Sequence, residues 1–387
     1  MADPAKVFFR DPGYDGQFTR TLNAAVVHAA DLGEAFATAR RIGKPTGGGW
    51  YDAWSATADH ARAAAEAALA AGDRVSARHA FLRASEYHRQ AYFFVRSDLD
   101  DPRLHTAYHG HVEAFAEAVP LLDHPAEAVR IPYEDTTLHG YLFTPDPSGT
   151  PRPTIVLPCG YDSTSEAAWL DVPAAISHGY NALAFDGPGQ GETLYTQRRF
   201  LRPDFEHVLT PVLDWLLTRP EADPDKVVLF GRSFAGYLAP RAATAEHRLA
   251  ALVCDPAQPD LGARVPTGPA ALVAVPVVRA GMRRNPDRAE FFRSRMAAHG
   301  VSSVGEYFAE MRWYTMLADA ANITCPTLLI ESEHDFTAGG GPVLCDALTA
   351  PAHLVQLTGA EGVDGHCAGL GQQVWTGTVY PWLRQTL

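Results

Sequence analysis

The sequence predicts an α/β protein: a mainly parallel, eight-stranded sheet preceded by an N-terminal helical region. Three observations carry this. Up to about Leu122 the chain is rich in Ala and Arg and repeats its apolar residues at helical spacing. From Val129 onward, short β-branched and aromatic runs (VRIPY, LHGYLF, TIVLP, NALAF, KVVLF, ALVC, TLLI, HLVQL) alternate with helical stretches, a pattern that buries a parallel sheet on both faces. The stretch between Cys254 and Thr327 is far too long for one crossover and reads as a helical insertion after the sixth strand.

In chain order, helices are expected at about 21–41 and 51–71. Another covers Asp73–Arg96, where Asp73 can cap the start after Gly72 and Phe81, Ala84, Ala91 and Val95 keep phase. Asp101-Pro102 opens the next helix, with Tyr108, Val112, Phe115 and Val119 on one face. Pro120 and Pro125 punctuate a linker, dividing a helical part, 1–125, from a sheet-bearing part, 126–387. The first two strand runs are close enough to form an antiparallel hairpin. The insertion, about 257–322, includes expected helices at 287–298 and 304–317.

Composition narrows the function. With 387 residues, 47% hydrophobic and 10% aromatic, the chain can bury a full core, which excludes global disorder. A net charge of −13 without a like-charge block is the wrong balance for a duplex-binding protein, so nucleic acid is not an expected partner. No apolar run approaches the ~18 residues of a membrane span. The segment MADPAKVFFRDPGYDGQ lacks the basic start and apolar stretch of a signal peptide. A cytoplasmic protein is expected. The five cysteines, an odd number with no C-x-x-C pair, give neither a disulfide framework nor a zinc site. No metal or organic cofactor is expected, and the partner is a small-molecule substrate.

The sharpest local feature is Gly231-Arg232-Ser233-Phe234-Ala235-Gly236, directly after the strand Lys226–Phe230 and before a helix. A nucleophile elbow has this strand–turn–helix setting, with a serine exposed on a strained turn and small neighbours that let the chain bend. Ala235 stands where glycine is usual. A serine hydroxyl needs a histidine to take its proton and a carboxylate to fix and stabilise that histidine. The expected order is Ser, acid, His. Asp335, after the strand Thr327–Ile330, is the candidate acid, with Glu333 a nearby competitor. His366, in the loop GAEGVDGHCAGLG after the last strand, is the candidate base and alone among sixteen histidines has that position. His334 lies on the acid's loop, whereas His28, His79 and His88 on helical stretches read as core or surface residues. The oxyanion donors are expected to be the backbone N–H of Phe234 and that of Tyr161, where Gly160 permits close approach.

The segments Phe185-Asp186-Gly187-Pro188-Gly189-Gln190-Gly191-Glu192, Gly160-Tyr161-Asp162-Ser163-Thr164 and the elbow GRSFAG, with the N-terminal AGDRVSARHAFLRASEYHRQAYFF, resemble the α/β-hydrolase fold. They resemble one subgroup of it, which has a helical N-terminal domain. That subgroup includes 2,6-dihydroxypseudooxynicotine hydrolase, the yellowish-green-type heptaketide hydrolases and the fermentation-respiration switch proteins. The resemblance spans nearly the whole chain. It implies a serine enzyme that cleaves esters, or carbon–carbon bonds beside ketones, and a homodimer through the helical domain. The nicotine-pathway member uses a further glutamate beyond the sixth strand. Here the matching stretch, Cys254-Asp255-Pro256-Ala257-Gln258-Pro259-Asp260, has aspartates and no glutamate, so Asp255 is the candidate extra acid. The expected substrate is an aromatic or polyketide-like ester or a β-diketone. The insertion aromatics Phe291, Phe292, Tyr307, Phe308, Trp313 and Tyr314 are candidates for its pocket. Acyl transfer, a cyclase or lyase on the same triad, and non-catalytic regulatory binding are the competing readings.

Overall fold

The computed structural model describes residues 6–387. Five helices come first: α1 (Pro12–Ala24), α2 (Leu32–Ile42), α3 (Gly47–Ala70), α4 (Arg74–Tyr92) and α5 (Pro102–Ala118). Their starts follow the capping residues. Asp11, ahead of Pro12, accepts from the Gly13 N–H at 2.9 Å, and Asp73 accepts from Ser76 N–H at 3.0 Å. Asp101 accepts from Arg103 N–H at 2.8 Å, with Pro102 in the first turn.

The continuous helix expected over 21–41 is instead broken. Ala25–Val27 tightens into a 3-10 turn, and His28 takes a left-handed φ of 60° with its ring stacked on His79 at 4.2 Å. Asp31 then restarts the helix by accepting from Glu34 N–H at 2.9 Å. A β-branched Val26-Val27 pair and a tertiary ring contact outweigh the helical pattern there. α4 is buried without interruption from Ala84 to Tyr92 and carries the Glu86–Arg89 pair inside, at 2.7 Å.

The eight strands are β1 (Ala126–Tyr133), β2 (Thr136–Phe143), β3 (Arg152–Pro158), β4 (Asn181–Phe185), β5 (Ala222–Arg232), β6 (Leu249–Asp255), β7 (Thr327–Ser332) and β8 (Ala352–Leu357). They form one sheet in the order β1-β2-β4-β3-β5-β6-β7-β8. β1 and β2 make the expected antiparallel hairpin, β2 pairs antiparallel with β4, and every later pairing is parallel. All five residues of β4 are buried, as a strand covered on both faces requires. Helices α6 (Val172–Ser177), α7 (Gly191–Tyr195), α8 (Glu206–Leu216) and α9 (Ala235–Ala243) lie between strands.

The stretch between β6 and β7 contains α10 (Gly268–Arg284), α11 (Pro286–Ala298) and α12 (Val304–Met311). α13 (Gly341–Ala347) precedes β8 and α14 (Gln372–Thr386) follows it. α12 stops short of the expected Leu317. The Met316 N–H donates to Pro259 O at 2.9 Å and Thr315 bridges Asp260, so the chain after Met311 is drawn into the segment following β6. The helical part is tied to the loop after β3 by Arg96, whose Nη2 meets Asp162 Oδ1 at 2.5 Å. Among the described residues, no helix is long and apolar enough to cross a membrane.

Candidate active site

The strand ends decide where the candidate residues meet. Ser233 follows β5, Asp335 follows β7, His366 follows β8 and Tyr161 follows β3, so all four lie beyond the carboxyl ends of parallel strands. Ser233 has a φ of 59°, a left-handed conformation that an L-residue adopts at a cost. The turn holds it there: Ser233 N–H donates to Asp255 O at 2.8 Å, and Ser233 O accepts from Gly236 N–H at 2.9 Å and Gln258 Nε2 at 2.6 Å. The small flanking residues are sterically required. A Cβ at Gly236 would lie 1.9 Å from Pro256 O, and one at Gly231 would lie 2.4 Å from Ala235 O.

The structure brings three of the sequence-predicted residues into one chain of hydrogen bonds. His366 Nε2 lies 2.8 Å from Ser233 Oγ, and His366 Nδ1 lies 2.9 and 3.1 Å from the two Asp335 oxygens. Asp335 Oδ1 also accepts from Thr337 N–H at 2.8 Å and Thr337 Oγ1 at 2.7 Å, while Oδ2 accepts from Cys367 N–H at 3.0 Å. The competing Glu333 is exposed and turned to another task, accepting from Gly359 N–H at 2.7 Å.

Burial opposes charge on Asp335, but His366, Thr337 and the Cys367 amide hold its carboxyl below the ordinary value. Burial alone would likewise favour a neutral His366, yet the adjoining Cys367 sulfur and the Asp335 carboxylate raise it well above 6.5. The Cys367 thiol is itself raised by burial. The sign follows. His366 must be neutral to take the serine proton, so kcat/KM is expected to fall as pH drops through a midpoint above 6.5. A pH–rate profile with that acid limb below 6.5 contradicts this arrangement.

The loop after β3, which carries the expected oxyanion donor Tyr161, packs close to the serine. A Cβ at Gly160 would sit 3.2 Å from Ser233 Cβ and 3.3 Å from Arg232 O, so glycine lets the loop approach the serine. The Tyr161 and Phe234 rings meet at a tilt of 36° with centroids 3.8 Å apart. Among the described residues, neither the Tyr161 nor the Phe234 amide donates to a protein acceptor, as expected of donors left for a developing anion.

The DGPGQGE run supports this loop at both ends. Gln190 accepts from Gly187 N–H at 2.8 Å and donates through Nε2 to Cys159 O. Asp186 accepts from Ser165 N–H at 2.7 Å and from Glu192 N–H at 2.9 Å. Burial and the neighbouring Glu166 push the Asp186 carboxyl up to about 7.

Asp255 is placed differently. Its side chain is fully buried and hydrogen-bonds to neither Ser233 nor His366, and its carboxylate lies 3.6 Å from Arg232 Nη2. Burial raises it to about 7, with Arg232 acting in the opposite sense. Of the insertion aromatics, Tyr307 and Tyr314 are buried around His299, whereas Trp313 is 71% exposed. His299 Nε2 bonds the Tyr161 hydroxyl and its Nδ1 bonds the Tyr314 hydroxyl at 3.2 Å. Burial lowers His299 to about 3, and a neutral ring supplies one donor and one acceptor to these hydroxyls.

Sequence reasoning missed four contributors. Thr337 braces the acid. Phe336, 70% exposed, stands with its ring 5.0 Å from that of His366. Arg232 donates to Cys367 O at 2.7 Å and Asp171 at 2.6 Å, tying the elbow to the histidine loop. Cys367 Sγ lies 3.5 Å from His366 Nε2. The signal available was position alone: each lies within two residues of one already singled out.

Residues 138–371 match the model of the family described as the alpha/beta hydrolase family. Hydrolase LUC6 of a Fusarium species is 37% identical over 252 residues, covering 62% of this chain and 60% of that protein. The 20-hydroxy-prefusarin hydrolase of Gibberella moniliformis is 37% identical over 259 residues, covering 65% of this chain and 62% of that protein. The chain thus spans about three-fifths of the length of these relatives. Among solved structures, 2,6-dihydroxy-pseudo-oxynicotine hydrolase superposes with a TM-score of 0.77 at 22% identity, covering 95% of each chain. That likeness includes the N-terminal helical region.

Proposed function

The chain belongs to the alpha/beta hydrolase family, and on that premise we propose that it is a serine hydrolase acting on a polyketide-like carbonyl compound. The observation that carries this reading is the chain of hydrogen bonds from Ser233 Oγ through His366 to Asp335, at 2.8 and 2.9 Å. Ser233 attacks the substrate carbonyl as His366 Nε2 takes its proton. The Tyr161 and Phe234 amides stabilise the tetrahedral anion. His366 then protonates the leaving group, and water releases the acyl-enzyme by the same steps in reverse.

A relative named for hydrolysis of 20-hydroxy-prefusarin supports a substrate larger than a simple aliphatic ester. So does Phe336, an exposed ring beside His366. A carbon leaving group is harder to expel than an alkoxide, so it gains more from a second acid. Asp255 is buried against Arg232, which favours an ester, whose alkoxide His366 alone can protonate.

A fluorophosphonate probe is expected to label Ser233 stoichiometrically. Mass analysis after exposure to bulky aryl and polyketide esters and β-diketones is expected to find the acyl group on that serine. No labelling would favour the regulatory-binding reading. Turnover confined to short aliphatic esters would remove the substrate class and leave the nucleophile in place.

A further inference from the structure

We propose that His366 Nε2 and Cys367 Sγ form an inhibitory binding site for a thiophilic divalent cation such as Zn2+ or Cd2+, seated against the Ser233 hydroxyl.

The argument starts from distances. Cys367 Sγ lies 3.5 Å from His366 Nε2. A tetrahedral zinc with a Zn–S bond of about 2.3 Å and a Zn–N bond of about 2.0–2.1 Å places its sulfur and nitrogen ligands about 3.5 Å apart. The two atoms therefore already stand at the ligand–ligand spacing the ion needs. Ser233 Oγ, hydrogen-bonded to the same nitrogen at 2.8 Å, would serve as a third ligand after moving out by about half an ångström to the ~3.3–3.5 Å that tetrahedral N and O ligands require. The His366 side chain is 28% exposed, so solvent reaches the site to complete the set.

The partner behind the ring fits as well. A metal-binding histidine generally donates its other ring N–H to a carboxylate, which fixes the tautomer and raises the basicity of the ligating nitrogen. Asp335 occupies that position on His366 Nδ1 at 2.9 Å, leaving Nε2 2.8 Å from Ser233 Oγ and 3.5 Å from Cys367 Sγ, whose thiol donates to Asp255 O at 3.3 Å until a metal replaces its proton. The arrangement that would make His366 a base would also make it a metal ligand. Among the described residues, Asp335, His366 and Cys367 are the group of His, Cys, Asp and Glu side chains whose ligand atoms lie within 4.8 Å of one another. Three other cysteines, Cys159, Cys254 and Cys325, are buried, and Cys345 is partly exposed elsewhere.

Binding releases the Cys367 thiol proton to solvent and forms the metal–sulfur and metal–nitrogen bonds. No electron transfer is involved. The cation takes the lone pair that otherwise receives the serine proton, so metal and substrate turnover exclude one another. The inhibition rests on the serine-nucleophile reading above, whereas the metal binding does not.

The test titrates the full chain with Cd2+ alone and follows the thiolate-to-cadmium charge-transfer band in the ultraviolet. One equivalent is expected to saturate it. Cys367→Ala is expected to lose the band, and His366→Gln, which removes a direct ligand, to weaken binding by more than the about 10- to 100-fold that loss of a partner behind a ligand costs. Cys345→Ala is expected to change nothing. Stoichiometric Zn2+ is expected to slow fluorophosphonate labelling of Ser233 by about tenfold or more in wild type, and EDTA to restore it.

Absence of the band, or its survival in Cys367→Ala, overturns the site. If Cys367→Ala fails to fold, zinc X-ray absorption on wild type decides by the presence or absence of one sulfur with one histidine nitrogen. Labelling unchanged by Zn2+ with the band present overturns the inhibition. Failure of wild type to label without metal removes the nucleophile reading, while the Cd2+ titration still decides the site.

Discussion

Removing the Ser233 hydroxyl, as Ser233→Ala, is expected to lower kcat on the order of a millionfold and to abolish fluorophosphonate labelling, with thermal stability close to wild type. The size follows from the role. In the role proposed for it the hydroxyl supplies the bond-forming atom, and nothing else on that turn can replace it. Ser233 O and N–H keep their partners Gly236, Gln258 and Asp255, and alanine tolerates the left-handed backbone no worse than serine. The Tyr161 and Phe234 amides and the His366–Asp335 pair would therefore persist around the missing hydroxyl, so on the proposed reading residual activity above the uncatalysed rate is also expected. Turnover measured with the substrate identified by adduct mass checks this. Near-normal activity would instead favour a lyase or cyclase in which His366, held by Asp335, abstracts a proton directly.

The parts of this molecule that could be read from sequence are those in which local chemistry dictates structure. Runs such as NALAF are continuous and apolar because a parallel strand is covered on both faces, and β4 is buried throughout. The elbow was legible because steric exclusion writes itself as small residues. The 1.9 Å from a Gly236 Cβ to Pro256 O leaves no alternative to glycine without movement. The helix starts at Asp73 and Asp101 were legible because the caps are local.

What escaped depends on contacts remote in sequence. α10 carries Leu272 and Val273 at 78% and 67% exposure and Pro276 in its interior, so its pattern does not resemble an amphipathic helix. The break at His28 is sealed by His79, a partner from another helix. The bond between His299 and Tyr161 joins residues 138 apart. The partnership of Arg232 with Cys367 likewise has no trace in the motif, where position two of the pentad admits any residue. Asp255 shows the same limit: its position at a strand end was readable, but its burial beside Arg232 was not.

Asp335→Asn is expected to reduce kcat by about 10⁴-fold while leaving KM within a few-fold, and to move the acid limb of the pH profile downward. The carboxylate accepts from His366 Nδ1, twice from Thr337 and once from the Cys367 amide. Every one of these partners is a donor. An asparagine offers one accepting oxygen and one NH2, so in either orientation a donor faces a donor. If the oxygen serves Thr337, the NH2 confronts the Cys367 N–H. If it serves Cys367, the NH2 confronts the Thr337 donors. An amide that presents N–H to the imidazole selects the tautomer with its proton on Nε2, pointed at Ser233 and unable to accept from it.

The pH shift has a definite sign. The Cys367 sulfur and the Asp335 carboxylate together raise His366 above 6.5 against burial. Loss of the negative charge therefore lets burial dominate, and the histidine titrates lower. The comparison with Glu333→Gln separates this from a general loss of negative charge near the site. Glu333 is exposed and serves the Gly359 amide, so that variant is expected to keep activity within about threefold and an unchanged acid limb. A large loss in Glu333→Gln with little in Asp335→Asn would transfer the acid's role to Glu333 and overturn the assignment of Asp335.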